Sequence, residues 1–383
     1  MKEAYLISCS DHYDHRMCYW DRGLQALGFA VTYVTSDFSH NAKVKFQCSV
    51  PGSEQLHVRP YTKNLSLDRI LSHRGFARSV CGYLEARKPA VIVALIPPNY
   101  LCKYLALYKK RHPDVRLIFD IFDLWPETFP SSRIKSLLAP VFRIWSGLRD
   151  HNLPHADYVT VECNFFRRML RLEDRRSCTV PFSLPPYTGP ALESPLPTDR
   201  AEIAYLGAIN NLIDIPRISA LLAALSRRMP VDLHVIGEGE NCGAFCQAAE
   251  DAGAKVCLYG GVFDETEKHR ILRRCHFGLN IMKLSVCIGL TMKSVDYLRH
   301  GLPVVNSIGG DTAELVQSGG IGIQLTTPEE TAAAISTAIH RGTAEMQTAA
   351  LQAFGDHFSA EAASRSFAGV LHFLFSSDSR DKS

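Results

Sequence analysis

The sequence contains no CxxC pair, no run of the roughly 18 apolar residues that spans a bilayer and no long low-complexity tract; only its last residues, SSDSRDKS, look loose. Each absence excludes a class of protein. Twelve cysteines are scattered from Cys9 to Cys287, several inside apolar runs, and Cys242 with Cys246 has no nearby histidine pair. That pattern fits buried reduced thiols better than a disulfide scaffold or a zinc cluster, and no metal site is expected. No membrane-spanning helix is expected either. The opening MKEAYLISCSDHYDHR has too short an apolar run for a signal peptide, so the expected location is the cytoplasm. The basic residues lack interleaved aromatic platforms, which argues against nucleic acid.

What remains is a globular composition, 46% hydrophobic and 21% charged, over 383 residues. That length exceeds what one core usually fills, so two domains are expected. Charge is unevenly divided. Residues 1–190 carry 26 Lys and Arg against 17 Asp and Glu, and residues 191–383 carry 16 against 22. A basic half beside an acidic half suggests that the first faces something anionic, such as a membrane surface or a phospholipid-linked substrate.

Apolar runs of strand length alternate with helix-like patterns, which predicts parallel sheets covered by helices. In the first half the strands are expected at Ala4–Ser8, Ala30–Thr35, Leu56–Val58, Ala90–Leu95, Arg116–Ile121 and Tyr158–Val161. A second series follows at Ile203–Leu206, Val231–Ile236, Val256–Tyr259, Phe277–Asn280, Pro303–Asn306 and Gly322–Gln324. Between them the proline-rich SLPPYTGPALESPLPTD reads as a linker, since proline removes backbone donors. The expected division is a Rossmann-like domain over 1–185, a linker over 186–199 and a second Rossmann-like domain over 200–359. The last helix, near 360–376, is expected to pack back on the first domain. In such folds ligands bind at the carboxyl ends of the strands.

The strongest local signal is GLTMKS at Gly289–Ser294, a glycine-containing loop entering a helix near Met292. The exposed amides of a first helical turn, with the helix dipole, make an anion site. Gly289 allows close backbone approach, Leu290 follows it, Thr291 can cap the helix or bond a phosphate, and Lys293 brings positive charge. Asp296, one turn on, could accept ribose hydroxyls. An ordinary capped helix would read the same way.

The run MKSVDYLRHGLPVVN resembles the nucleotide-binding helix and following strand of glycosyltransferase family four, where an acidic residue precedes an aromatic and a Gly-x-Pro turn follows. GLTMKSVDYLRHGLPVVNSIGGDTAELV, TSDFSHNAK, PYTKNLSLDRILSH and DIFDLWPETFP resemble a subgroup of bacterial capsular and exopolysaccharide transferases. The resemblance implies a GT-B fold, two Rossmann-like domains facing across a cleft. It also implies a metal-independent retaining transfer, with no cofactor, from a nucleotide sugar, UDP-linked, to a glycan or lipid-linked glycan. Two positions depart from the family. Ile288 stands where a glutamate contacts the donor sugar, and Asn210 with Asn211 stands where Arg and Lys clamp the diphosphate. Lys293 and Lys283 are then left to balance that charge. Gly207, Asn210, Gly237, Gly261 and Val262, at successive strand ends, complete the expected donor site, the last two contacting the base through backbone atoms.

On the acceptor side, DIFDLWPE puts Asp120, Asp123 and Glu127 at a strand end, with Asp123 and then Glu127 as the catalytic candidates. The loop SDHYDHR adds Asp11, His12, Asp14 and His15, the last a catalytic candidate that titrates near neutrality, and TSDFSH adds Asp37 and His40. RIKSLLAPVFRIWSGLR reads as a basic amphipathic helix, either core or a peripheral contact with the inner face of the membrane. Two other functions stay open, a GT-B sugar-nucleotide epimerase and a noncatalytic nucleotide-sugar-binding subunit of a transferase complex.

Overall fold

The structure is a computed structural model that describes residues 2–9, 14–129, 137–173, 175–190 and 196–376, with backbone alone at Asp14 and His15. The chain forms two compact units. One comprises Met1–Glu162, Phe166–Val180 and Ala363–Ser383; the other comprises Cys163–Phe165 and Pro181–Ala362.

The first unit is built on seven parallel strands: β1 Glu3–Ser8, β2 Ala30–Ser36, β3 Glu54–Leu56, β4 Val91–Ile96, β5 Arg116–Ile121, β6 Tyr158–Val161 and β7 Ser177–Thr179. Their order is β3-β2-β1-β4-β5-β6-β7. All six residues of β4, VIVALI, are buried, as a parallel strand covered by helices on both faces requires. Helix Leu67–Glu85 starts at Ser66, whose hydroxyl accepts the Arg69 amide, and buries Arg69, Ser72, His73, Phe76, Ala77, Val80 and Leu84 along one stripe. The final helix, Ala360–Ser376, lies in the first unit from Ala363 onward. There Phe367 packs on Trp20 at 4.6 Å between ring centroids, and Phe375 on Phe29 at 5.3 Å.

The second unit has six parallel strands: β8 Ala201–Leu206, β9 Val231–Ile236, β10 Ala254–Gly260, β11 Phe277–Asn280, β12 Val304–Asn306 and β13 Gly322–Gln324. Their order, β10-β9-β8-β11-β12-β13, repeats the pattern of the first unit. Each sheet thus reverses its direction of growth beside its first strand, β1 or β8, which opens a crevice at the strands' carboxyl ends. The strands lie within two residues of the expected positions, and β7 is an addition. Its three residues, SCT, are too few to display a period.

Candidate active site

In the second unit the loops leaving β8 and β9 cross at backbone contact. A side chain on Gly237, which has φ +153°, would put its Cβ 2.1 Å from the Gly207 carbonyl oxygen. No residue with a Cβ fits there. The crossing is tied by Gly207 N–H to Ile236 O at 2.9 Å, Ile209 N–H to Glu238 O at 2.8 Å and Gly237 N–H to Gly260 O at 2.8 Å. Gly261 donates its amide to Glu238 Oε1 at 3.2 Å, and Val262 follows, half-buried.

Across the switch point, an amide–hydroxyl ladder fixes the start of helix Met292–Arg299. Asn280, Asn306 and Gln324 are register partners on β11, β12 and β13. Asn280 donates to Asn306 Oδ1 at 2.8 Å, and Asn306 donates to Gln324 Oε1 at 2.8 Å. Thr291 donates to Asn280 Oδ1 at 3.1 Å and accepts the Ser294 amide at 3.2 Å. Its hydroxyl, on a buried residue, is therefore the helix cap, worth about 1 kcal/mol. Gly289 packs so closely that a Cβ would lie 2.4 Å from Phe165 Cβ. Its carbonyl accepts from the amide and hydroxyl of Thr312, and Leu290 beside it is buried.

Lys293 runs from this helix back to the β8 loop. Its Nζ donates to the Tyr205 hydroxyl at 3.1 Å and lies 4.2 Å from that ring's centroid, and a Cβ on Gly207 would sit 3.7 Å from its Cε. Burial pushes its ammonium down to about 8. The charge thus arrives beside Gly207 from the helix, while Asn210 spends its Oδ1 on the Leu212 amide at 2.9 Å and Asn211 donates to Glu240. Lys283 is exposed and held by its backbone to Leu212 O.

Asp296 accepts from Lys268 Nζ at 2.8 Å and lies 3.4 Å from His300 Nε2. Burial pushes its carboxyl up, but His300 and Lys268 outweigh that and hold it below the ordinary range. Its Oδ1, the atom that faces His300, accepts no well-formed hydrogen bond among the described residues. Glu265, Asp296 and His300 bring ligand-type atoms within 4.8 Å of one another. Lys268 bridges Glu265 and Asp296, and Arg299 also bonds Glu265, so ammonium and guanidinium already supply the cations of this cluster.

In the first unit, four carboxyls of β5 and β6 or the loops after them meet different fates. Asp120, fully buried, accepts from Arg16, Trp20 at 3.0 Å and Thr160 at 2.7 Å, and so anchors the core. Glu127 is held by the buried Arg149 at 2.8 and 3.1 Å. Among the described residues Asp123 accepts only from the Thr128 hydroxyl and the Leu124 backbone, and burial pushes its carboxyl up. Glu162, one residue past β6, is pushed up to about 8, chiefly by burial, with Asp123 and Asp120 adding and Arg16 opposing. Sequence reading passed over Glu162, although TVECN puts it at a strand end like Asp123. Arg69 and His73 were also missed. Arg69 lies 4.7 Å from the Trp125 ring centroid, and burial lowers its pKa. His73 is pushed well below the usual histidine range by burial, then by Arg69, His40 and Lys43.

Asp37 accepts from the Val58 amide at 2.9 Å and pairs with His57 at 2.8 Å. His40 Nδ1 lies 2.6 Å from the Tyr61 hydroxyl. Asp11 and His12 lie outside the described residues, as do the side chains of Asp14 and His15 at the start of helix Asp14–Ala26. The structure thus gathers Gly207, Gly237 and Lys293 at one strand-end crevice, with Asn210 in the loop beyond, whereas Asp296 is bound into its own ionic network.

Residues 201–341 match the family model described as glycosyl transferases group 1. The matched stretch lies wholly within the second unit. The whole chain superposes on solved GT-B structures, which share its pair of parallel α/β units. Sucrose-phosphate synthase of Thermosynechococcus elongatus is 15% identical, with a TM-score of 0.67 over 98% of this chain and 100% of that one. The lipopolysaccharide outer core galactosyltransferase WaaB is 14% identical, with a TM-score of 0.65 over 98% and 100%. Anabaena HepE in complex with UDP and glucose is 14% identical, with a TM-score of 0.62 over 97% and 99%. No curated protein matches the sequence. The family-model match and the fold together support a glycosyltransferase of the GT-B type. Among the described residues no helix is long and apolar enough to cross a membrane.

Proposed function

We propose that the chain transfers a sugar from a UDP-sugar to a glycan or lipid-linked glycan in surface polysaccharide synthesis, by a retaining, metal-independent reaction on the cytoplasmic side of the membrane. The observation that carries this reading is Lys293, whose amino group is delivered to the Gly207–Gly237 crossing at the switch point of the group 1 domain. A diphosphate there meets an ammonium in a low-dielectric setting, and stabilising the departing diphosphate is what sugar transfer needs most. HepE, of the same fold, binds UDP and glucose, which favours uridine as the base.

A membrane contact is favoured by helix Ala139–Asp150. Phe142, Trp145 and Arg149 face the core, whereas Leu137, just before the helix, Val141 and Ile144 are exposed beside the exposed Arg143. Arg133 and Lys135 lie outside the described residues. The deciding experiment is a thermal-shift panel of UDP, GDP, ADP and CMP. UDP should raise the midpoint and the others should not; a chain indifferent to UDP sinks the proposal.

A further inference from the structure

Four carboxyls crowd the carboxyl ends of β5 and β6, and two of them are neutralised by arginines that are themselves buried. Arg16 takes Asp120, and Arg149 takes Glu127. Among the described residues Asp123 and Glu162 have no such partner. The Glu162 amide donates to Ile121 O at 3.0 Å, and Ile121 pairs in register with Val161. Glu162 therefore leaves β6 beside the turn from which Asp123 leaves β5. The Asp123 carboxylate is met by one hydroxyl, from Thr128 at 2.8 Å, and by the Leu124 backbone; the Glu162 carboxyl accepts no hydrogen bond from a described residue.

A second, independent feature points into the same place. Arg69, 5% exposed, faces Asp123 electrostatically, yet among the described residues its Nε–H has no partner, and the indole N–H of Trp125, under the guanidinium, has none either. Buried donors without acceptors are rare enough to need an explanation. A bound molecule offering oxygen acceptors, such as a sugar bearing several hydroxyls, would satisfy them.

We infer that Asp123 and Glu162 form a carboxyl pair that holds one proton and lines an acceptor subsite of the first unit, with Asp123 as the group that accepts the hydrogen bond of an acceptor hydroxyl and Glu162 as the residue that sets its charge. The inference rests on the transferase reading above. Two carboxylates so placed cannot both ionise freely, and the proton belongs to the pair. Among the described residues the charged groups around Glu162 are Arg16 from helix Asp14–Ala26 and Asp120 and Asp123 from β5 and its loop; Arg69 and Glu127 act on Asp123.

The test has one arm that needs no substrate. In the full chain carrying glutamate labelled with 13C at the side-chain carboxyl, the resonance lost in Glu162→Gln is followed from pH 5 to pH 10. It should titrate near pH 8, and its midpoint should drop by at least about one pH unit in Asp123→Asn, where the like charge is gone. A midpoint in the ordinary carboxylate range, or one unmoved by Asp123→Asn, overturns the pair. The second arm follows UDP release from UDP-glucose with water as acceptor. Wild type should show an inflection in its pH–rate profile near pH 8, and Glu162→Gln should lose it while binding UDP within about twofold of wild type. An inflection that survives in Glu162→Gln removes Glu162 from the reaction. Failure of the wild type to bind UDP would instead overturn the nucleotide-sugar reading and leave the titration to judge the pair.

Discussion

Replacing Lys293 by methionine should push the protein in two opposite directions. Burial takes the ammonium from 10.5 to about 8. At about 1.36 kcal/mol per pH unit, that displacement corresponds to at most about 3 kcal/mol lost by the unliganded fold at pH 7. The sign follows from proton counting. With the folded value below the unfolded one, the folded chain binds fewer protons between those two values, so the loss is complete below about pH 8 and disappears as the pH rises to 10.5. Methionine keeps apolar contact with the Tyr205 ring and carries no charge. Unliganded Lys293→Met should therefore melt several degrees above wild type at pH 7, since 1 kcal/mol moves the midpoint by about 2–4 °C in domains of 150–250 residues. The gap should shrink by pH 9.5. UDP acts the other way. At 100 times its Kd it should stabilise wild type by about 2.7 kcal/mol, and the variant should lose most of that. Thermal melts at the two pH values, with and without UDP, give all four numbers. A variant that melts below wild type at pH 7, or gains equally from UDP, refutes the reasoning.

Gly289→Ala drives a Cβ to 2.4 Å from Phe165 Cβ, so it should cost about 1–3 kcal/mol in urea unfolding and weaken UDP binding measured by calorimetry. Arg149→Met deprives Glu127 of its bidentate partner and should cost about 3 kcal/mol by chemical denaturation; adding Glu127→Leu should recover part of it. Because the Glu162 carboxyl sits near 8 in the folded chain, above its unfolded value, its contribution is greatest at acid pH and falls as the pH rises to about 8. The stability of wild type relative to Glu162→Gln should decline accordingly between pH 5 and pH 8, and a flat difference across that range would count against the assignment.

The strand series was readable because parallel strands buried on both faces are continuous apolar runs such as VIVALI, which need no partner to be seen. The capped start of helix Met292–Arg299 was readable for a related reason: glycine, cap and lysine lie within six consecutive residues. What escaped depends on distant segments meeting. Nothing near Asp120 in sequence reveals that Arg16 and Trp20 claim its oxygens, and nothing near Asp296 reveals Lys268. Arg69 and His73 lie in the first two turns of a helix, where a basic residue ordinarily reads as solvated surface, and only packing shows them buried. Glu162 was within reach, because the strand-end rule that selected Asp123 applies equally to the residue after β6.

The return of the last helix to the first unit sets the terms on which that unit can be dissected. Cutting the chain after Val180 would discard Phe367 and Phe375 and strip Trp20 and Phe29 of their ring partners. Phe375 and Lys2 line the same surface hollow, so the two ends of the fold are neighbours. A circular permutation that places residues 363–376 ahead of Lys2 through a short flexible joint would turn the first unit into one unbroken stretch of polypeptide.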